Sequence, residues 1–400
     1  MKILLANKFY YYRGGADIHA IDLESLLKEK GHEVCFFSMQ HPLNRISDYS
    51  DFFPSEVDFN RRSARKMVSV ITRPFGTREV RQKFIELLRL FKPDIVHLHN
   101  IHTQLSPALA VISHDHQIPV VWTLHDHKLV CPRYDCMRKG EPCKLCFTDK
   151  YNVLKYKCVK DSIGASTVAL FESVVWSSKV INNNTDVFIC PSQFLLNNMI
   201  EGGYDKNKLI HLPNFILNMK LAGVSLEKMD YYCFIGRLSP EKGIETLLKA
   251  AVELPAYELR VIGTGPLEDY LKEHYKRPNI KFLGFKEWEG MQEQVSNSKC
   301  LVFPSECFEN NPLSIIESLC NGTPVIGSRI GGIPEMIQEG LDGFLYEAGN
   351  IHDLKHQIIN LFQGRTQFDY EAMAGRARSK FIAENYYNAL IKIYKELLQI

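Results

Sequence analysis

Neither sign of charge is in excess in this sequence: 48 Lys and Arg stand against 46 Asp and Glu over 400 residues, a formal net charge of +2. Whole-molecule attraction to nucleic acid needs a far larger basic surplus, so no nucleic-acid partner is expected. Long hydrophobic runs are missing as well. The most apolar stretch, 165–181, is interrupted by Glu172 and Lys179 and is shorter than the roughly 20 residues a spanning helix needs. The opening Met1-Lys2-Ile3-Leu4-Leu5-Ala6 soon meets Arg13, Gly14 and Gly15, too early for the apolar core of a secretory signal. With 24 Gly and 18 Pro, neither a collagen-like repeat nor a low-complexity tail is in play. Eleven cysteines cannot all pair within one chain. Without a secretory signal they read as thiols or metal ligands, and the cytoplasm is the expected compartment.

What is present is alternation. Short apolar runs rich in β-branched and aromatic residues alternate with helical patterns, the mark of βαβ units around parallel sheets. Strands are expected at 2–6, 33–38, 94–98, 120–124 and 186–190 in a first half, and at 231–235, 258–262, 281–283, 300–303 and 324–327 in a second. A helix over 18–30 places Ala20, Leu23 and Leu27 on one face and stops at Gly31. The expected fold class is α/β, with two Rossmann-like doubly wound domains facing across a cleft. Ligands of open α/β sheets bind beyond the carboxyl ends of the strands, which puts the site in that cleft. The stretch 213–230 lacks a clear element, so the domains are expected at 1–215 and 216–375. A C-terminal helical segment, 376–400, carries Tyr386, Leu390, Ile393 and Leu397 at helical spacing.

Three motifs carry chemistry. Tyr12-Arg13-Gly14-Gly15-Ala16-Asp17 follows the first strand and opens a helix, where glycines admit a ligand and the helix N-terminus favours negative charge. The G-x-G-x-x-G spacing of dinucleotide binding is absent, and alone the segment is equally a plain strand-to-helix turn. Gly236-Arg237-Leu238-Ser239-Pro240-Glu241-Lys242-Gly243 repeats that position in the second half; two cations converging on a helix N-terminus suit a diphosphate, although loop charges can also be merely solvated. The third motif runs from Phe303 to Glu317. Asn311 is expected as N-cap and Pro312 as first helical residue, with Asn321-Gly322 as the stop. Glu309 then lies in the loop and Glu317 inside the helix, while the first-turn amides of Leu313 and Ser314 face outwards for phosphate oxygens. Carboxylates accept hydrogen bonds from the paired hydroxyls of a ribose or hexose.

Glu309 and Glu317 with seven residues between them, followed by Gly322-Thr323-Pro324-Val325-Ile326-Gly327-Ser328 and Gly331-Gly332-Ile333-Pro334-Glu335, resemble the retaining family-4 glycosyltransferases of the glycosyltransferase-B fold. The resemblance spans the chain, with Gly14-Gly15 in front, Thr123-Leu124-His125-Asp126 in the middle and 236–243 and 309–335 behind. It implies a retaining hexosyltransferase that moves a sugar from a nucleotide sugar, a UDP-sugar by expectation, to a cell-surface polysaccharide or lipid-linked glycan. By position, Arg237 and Lys242 would hold the diphosphate, helped by amides near Gly14, Gly15, Leu313 and Ser314. Glu317 would take the ribose hydroxyls and Glu309 those of the sugar; His125 would lie near the reacting centre and Gly265 near the base. Members also return their last helix to the first domain. The pattern is broken at Asn310, Asn311 and Pro312, which stand where glycines are common, and at Phe215, where glycine usually follows the asparagine. Arg237, Lys242 and helix amides would stabilise the leaving diphosphate, which is the main catalytic lever. No Asp-x-Asp motif stands out, so no catalytic metal is expected. A nucleotide-sugar epimerase of the same fold and a non-catalytic nucleotide-sugar-binding scaffold are the competing readings.

Two further features concern other partners. Cys131, Cys136, Cys143, Cys146 and Cys158 cluster in the sequence, with Cys143-Lys144-Leu145-Cys146 as a C-x-x-C. Structural zinc is expected on Cys131, Cys143, Cys146 and Cys158, with an iron–sulfur cluster or free thiols as alternatives. Between 61 and 83, eight basic residues (Arg61, Arg62, Arg65, Lys66, Arg73, Arg78, Arg81 and Lys83) face one acid, Glu79, among apolar neighbours. That segment is the expected peripheral contact with an anionic membrane, on its inner face, unless it is a solvated helix.

Overall fold

The structure, a computed structural model, describes residues 1–57 and 70–400. The chain divides into two compact units. The first comprises Met1–Cys136, Cys143–Pro213 and Tyr386–Ile400, the second Met137–Pro142 and Asn214–Asn385.

In chain order the strands are β1 (Lys2–Ala6), β2 (Glu33–Phe37), β3 (Ile95–Leu98), β4 (Val120–Thr123), the hairpin β5 (Met137–Arg138) and β6 (Glu141–Pro142), β7 (Val187–Cys190) and β8 (Leu209–His211). Then come β9 (Tyr231–Ile235), β10 (Glu258–Ile262), β11 (Ile280–Gly284), β12 (Leu301–Phe303), β13 (Val325–Ser328) and β14 (Gly343–Tyr346). The first unit's sheet has the order β2-β1-β3-β4-β7-β8, the second unit's β11-β10-β9-β12-β13-β14. The pairings within both sheets are parallel, for example Ile3 beside Ile95 and Leu301 beside Cys233. Each order reverses once: between β1 and β3 in the first sheet, and between β9 and β12 in the second. Such switch points open a crevice at the carboxyl edge.

Both faces of the second sheet are covered, and its strands show why. On β9, Tyr232 and Phe234 join a core with Leu247, Leu248 and Ile358, while Cys233 between them joins another with Ile315, Ile316 and Leu319. The two-residue period of a strand delivers alternate side chains to opposite layers, so a parallel strand reads as one apolar run. The ten expected strands are present within one or two residues. Expectation missed β8 and β14, edge strands of three and four residues, and the two-residue hairpin strands β5 and β6.

The helix expected over 18–30 is Gly15–Glu29, ended by Gly31 at φ +82°. In place of one helical segment over 376–400 there are two helices, Tyr370–Phe381 and Ala383–Leu398. The break falls at Ile382, whose extended backbone bridges Ile216. Residues from Tyr386 on count with the first unit, where Tyr386, Leu390, Ile393 and Tyr394 are buried.

Candidate active site

In the second unit, the loops after β9 and β12 meet at the switch point. Lys242 from the first loop and Glu309 from the second form an ion pair, Nζ to Oε1 2.6 Å, with side chains 31% and 14% exposed. Ser305 Oγ donates to the same carboxylate oxygen at 2.7 Å, and Ser328 Oγ anchors Ser305 by donating to its carbonyl at 2.6 Å. Burial pulls the Lys242 ammonium down, but the Glu309 carboxylate outweighs it and the net shift is upward. Burial likewise pushes Glu309 up, yet Lys242 and the hydrogen bonds from Lys242, Ser305 and Cys307 hold it below its ordinary value. Both groups are therefore charged at neutral pH.

Two glycines make this pairing fit. Gly243, at φ +64°, passes so close to the β12 loop that a Cβ would lie 1.8 Å from the Pro304 carbonyl oxygen. Gly331, at φ +60°, crosses the Glu309 backbone; a Cβ there would meet the Glu309 carbonyl at 2.4 Å, and the Gly332 N–H donates to that carbonyl at 2.8 Å. The Gly331-Gly332 pair thus holds Glu309 from behind.

The other expected donor residues lie around the same loops. Arg237 is exposed, two residues past the end of β9. The turn holding Gly265 packs on the Arg237 loop: Leu238 N–H donates to Thr264 O at 3.0 Å, and Leu267 N–H to Leu238 O at 3.1 Å. Glu317 is half-buried on the helix Leu313–Cys320. That helix begins one residue later than expected. Pro312 is its N-cap, and intrahelical bonds begin with the Ile315 and Ile316 amides, after those of Leu313 and Ser314. Asn311 does not cap, because its side chain and carbonyl are engaged by Asn214, whose backbone N–H and Nδ2 donate to them at 2.8 and 2.7 Å.

In the first unit, the switch point lies between β1 and β3. Gly14, in extended backbone, is the N-cap of the helix Gly15–Glu29, and a Cβ on Gly15 would meet nothing within 4 Å. Asn7 ties the loops together: its Nδ2 donates to Asp17 Oδ1 at 2.8 Å and its Oδ1 accepts from the Asn100 amide at 3.1 Å. Beside it, burial draws the Lys8 ammonium down against the opposing fields of Asp126 and Asp17. His125, just past β4, hydrogen-bonds through Nε2 to His99 Nδ1 at 3.1 Å, and burial lowers its pKa to about 3, so the ring is neutral. Expectation passed over Asn7, Lys8 and His19; each is an ordinary residue in sequence and gains meaning only from neighbours at the crevice.

Among the described residues, no three of the cysteines expected to hold zinc bring their sulfurs mutually within 4.8 Å. A tetrahedral site with Zn–S bonds of about 2.3 Å places sulfurs about 3.8 Å apart. Among the described residues, the group of three ligand-type side chains with donor atoms mutually within 4.8 Å is His19, His99 and His125, and it contains no cysteine. Cys131 shares a hydrogen bond with Cys136, the cysteine of the cluster outside the expected four, and that bond holds the Cys131 thiol below its ordinary value. Of the basic segment, Arg61, Arg62, Arg65 and Lys66 lie outside the described residues. Arg73 is buried and donates to the Gln104 and Ser55 carbonyls. Arg81 donates to the Gly76 and Phe75 carbonyls, and Lys83 to those of Asp51 and Phe53. These three charges serve the protein's own backbone. Among the described residues, no helix is long and apolar enough to cross a membrane.

The family profile described as Glycosyltransferase Family 4 matches residues 13–216, just over half of the chain. The chain belongs to glycosyltransferase family 4. A second profile, Glycosyl transferases group 1, matches 222–380, so this glycosyltransferase is covered almost end to end. Relatives include the sulfoquinovosyl transferase SQD2 of Arabidopsis thaliana, 24% identical over 91% of this chain and 73% of that protein. Another is the N-acetyl-alpha-D-glucosaminyl L-malate synthase of Bacillus anthracis, 24% identical over 100% and 98%. Among solved structures, Anabaena HepE in complex with UDP superposes with a TM-score of 0.70 at 18% identity, covering 99% of this chain and 100% of its own. The two parallel α/β units are those of the glycosyltransferase-B fold.

Proposed function

We propose that this family-4 glycosyltransferase moves a hexosyl group from a UDP-sugar to a cell-surface polysaccharide or lipid-linked glycan, with retention of anomeric configuration. The observation that carries this reading is the Lys242–Glu309 pair at the β9/β12 switch point, a cation for a diphosphate and a carboxylate for sugar hydroxyls held 2.6 Å apart. Without donor the two groups neutralise one another. With donor, Lys242 turns to the diphosphate beside Arg237 and the Leu313 and Ser314 amides, and Glu309 accepts from the sugar. Glu317 takes the ribose hydroxyls. As the glycosidic bond breaks, negative charge grows on the diphosphate, and cations and amides already aimed at it lower the barrier. By its place in the family's motif, His125, a neutral imidazole, is assigned to the donor sugar. The UDP held by HepE is consistent with a uridine donor.

The test is a panel of UDP-, GDP- and ADP-linked sugars scored for thermal stabilisation and slow hydrolysis, wild type beside Glu317→Ala. A donor stabilises the folded state by mass action. A UDP-sugar that raises the wild-type melting temperature and leaves the variant unmoved supports the reading; stabilisation by GDP- or ADP-sugars alone overturns the uridine assignment. Peripheral membrane contact through 61–83 would rest on Arg61, Arg62, Arg65 and Lys66. Neutralising those four should weaken binding to anionic vesicles, and unchanged binding removes the idea.

A further inference from the structure

Surface helices normally turn their apolar side to the core and their charges to water. The helix Ile163–Val175 of the first unit does the reverse. Its inward positions are Ser166, Ala169 and Glu172, all buried. Its outward positions are Ile163 and Phe171, each 59% exposed, Val174 at 60% and Val175 at 45%. Helical spacing lines Ile163, Thr167, Phe171 and Val174 into one stripe. Glu172 is the helix's one ionisable residue, and it turns inwards to Lys128, whose Nζ donates to its Oε2 at 2.8 Å. The water side of this helix therefore carries no charge.

The chain on either side supplies the charge, and it is of one sign. Lys155, Lys157 and Lys160 precede the stripe and Lys179 follows it, all exposed, with one exposed acid, Asp161, between them. Tyr151 and Tyr156 are exposed in the same leading segment, and Lys155 Nζ lies 5.4 Å from the Tyr156 ring centre. That segment is packed on the helix: Val153 is buried with Ala169, and Val159 and Leu170 close over them. At the far end Trp176 Nε1 donates to the Pro74 carbonyl at 2.9 Å, so the stripe is held at both ends. The chain as a whole is nearly neutral, so any attraction to an anionic surface has to be local.

We propose that the helix Ile163–Val175 and its flanking lysines form a docking surface for an anionic phospholipid membrane. Contiguous exposed apolar side chains mark a surface that a partner or a membrane covers. Here the aliphatic and Phe side chains enter the acyl boundary, the tyrosines sit at headgroup level and the lysines reach lipid phosphates. A second copy of the chain fits this surface worse. A twofold contact through the stripe brings the same lysines of both copies together, with one acid from each to offset them. At 13 residues, about 20 Å, the helix is too short to span and lies in the plane of the interface. The inference deepens the proposed membrane contact and rests on that reading for the kind of partner, with other residues in the contact and no dependence on the donor.

The experiment sediments the full-length protein with vesicles of phosphatidylcholine alone and of phosphatidylcholine with phosphatidylglycerol. Wild type runs beside Phe171→Ser/Val174→Ser, Lys155→Gln/Lys157→Gln/Lys160→Gln and the variant neutralised at Arg61, Arg62, Arg65 and Lys66. Wild type should bind the anionic vesicles and not the neutral ones. The stripe variant should bind them at least about tenfold more weakly through lost apolar burial. The lysine variant should weaken by at least about tenfold too, with a shallower salt dependence. All these side chains but those at 61–66 are exposed, so melting curves of the first two variants should match wild type. Phe171→Trp reads the same contact with the stripe intact: on anionic vesicles carrying brominated lipid, its added fluorescence should be quenched. Stripe and lysine variants that bind like wild type, while neutralisation at 61–66 abolishes binding, overturn this surface and leave the contact at 61–66. No vesicle binding by wild type overturns both. Equal binding to neutral vesicles, or a dimer that the stripe variant dissociates without any vesicle binding, overturns the proposal as well.

Discussion

Lys242 and Glu309 are 67 residues apart in the chain, and their meeting at 2.6 Å sets the behaviour of each. The pair is partly exposed, so its direct contribution to stability is small, within about 1 kcal/mol. Glu309 lies below its ordinary value of 4.5, so its contribution is full above about pH 4.5 and fades as pH falls through the lower folded value. Lys242 is raised above 10.5, so its contribution is full below that and is lost as pH rises through the higher folded value. Stability–pH curves of wild type and the Lys242→Met/Glu309→Gln double variant should therefore run parallel between about pH 5 and 10 and converge only outside it. Transfer should suffer far more: Lys242→Met alone should lower the rate by about 10²–10³-fold, as loss of one preorganised charge-stabilising group does. Steady-state rates beside a melting curve separate the two effects. Gly331→Ala tests the support behind the carboxylate. With φ +60° and a Cβ 2.4 Å from the Glu309 carbonyl, it should destabilise by more than about 1 kcal/mol and depress transfer as well, checked by denaturant titration and assay.

At the scale of elements, what the sequence made legible follows from how each element is buried. Strands such as β9, covered on both faces, must be apolar throughout, and Tyr231-Tyr232-Cys233-Phe234-Ile235 announces itself. The edge strands β8 and β14 pair on one side only, and Leu209-Ile210-His211 carries no comparable signal. The motif loops were legible because they consist of residues with few structural uses, such as glycines at positive φ and a carboxylate before a helix. The helix start was misplaced because Asn311, a good cap by composition, is committed to Asn214, a partner 97 residues away. The cysteine spacing suggests a metal, and spacing by itself does not reveal the hydrogen bond between Cys131 and Cys136. The helix Ala383–Leu398 also belongs to this scale. Leu390 is fully buried, and Leu390→Ala should cost about 2–5 kcal/mol, measured by denaturant unfolding of the first unit.

For the whole molecule, two units with separate cores predict two unfolding events. A nucleotide held by the β9 and β12 loops should stabilise the second unit, by about 2.7 kcal/mol at a hundredfold excess over its dissociation constant. Calorimetry should show one transition moving with added UDP while the other stays, and movement of both by equal amounts would count against independent units. The balanced charge of +2 removes long-range steering, so association with donor should depend only weakly on salt. The division of the chain also bears on how the protein is made. The first unit takes Tyr386, Leu390 and Tyr394 from beyond the second, and Tyr394 completes the hydrogen bonding of His97 in the middle of the first sheet. On the ribosome, residues 1–213 emerge long before these partners exist. The N-terminal unit can complete its core only after the C-terminal unit has been synthesised.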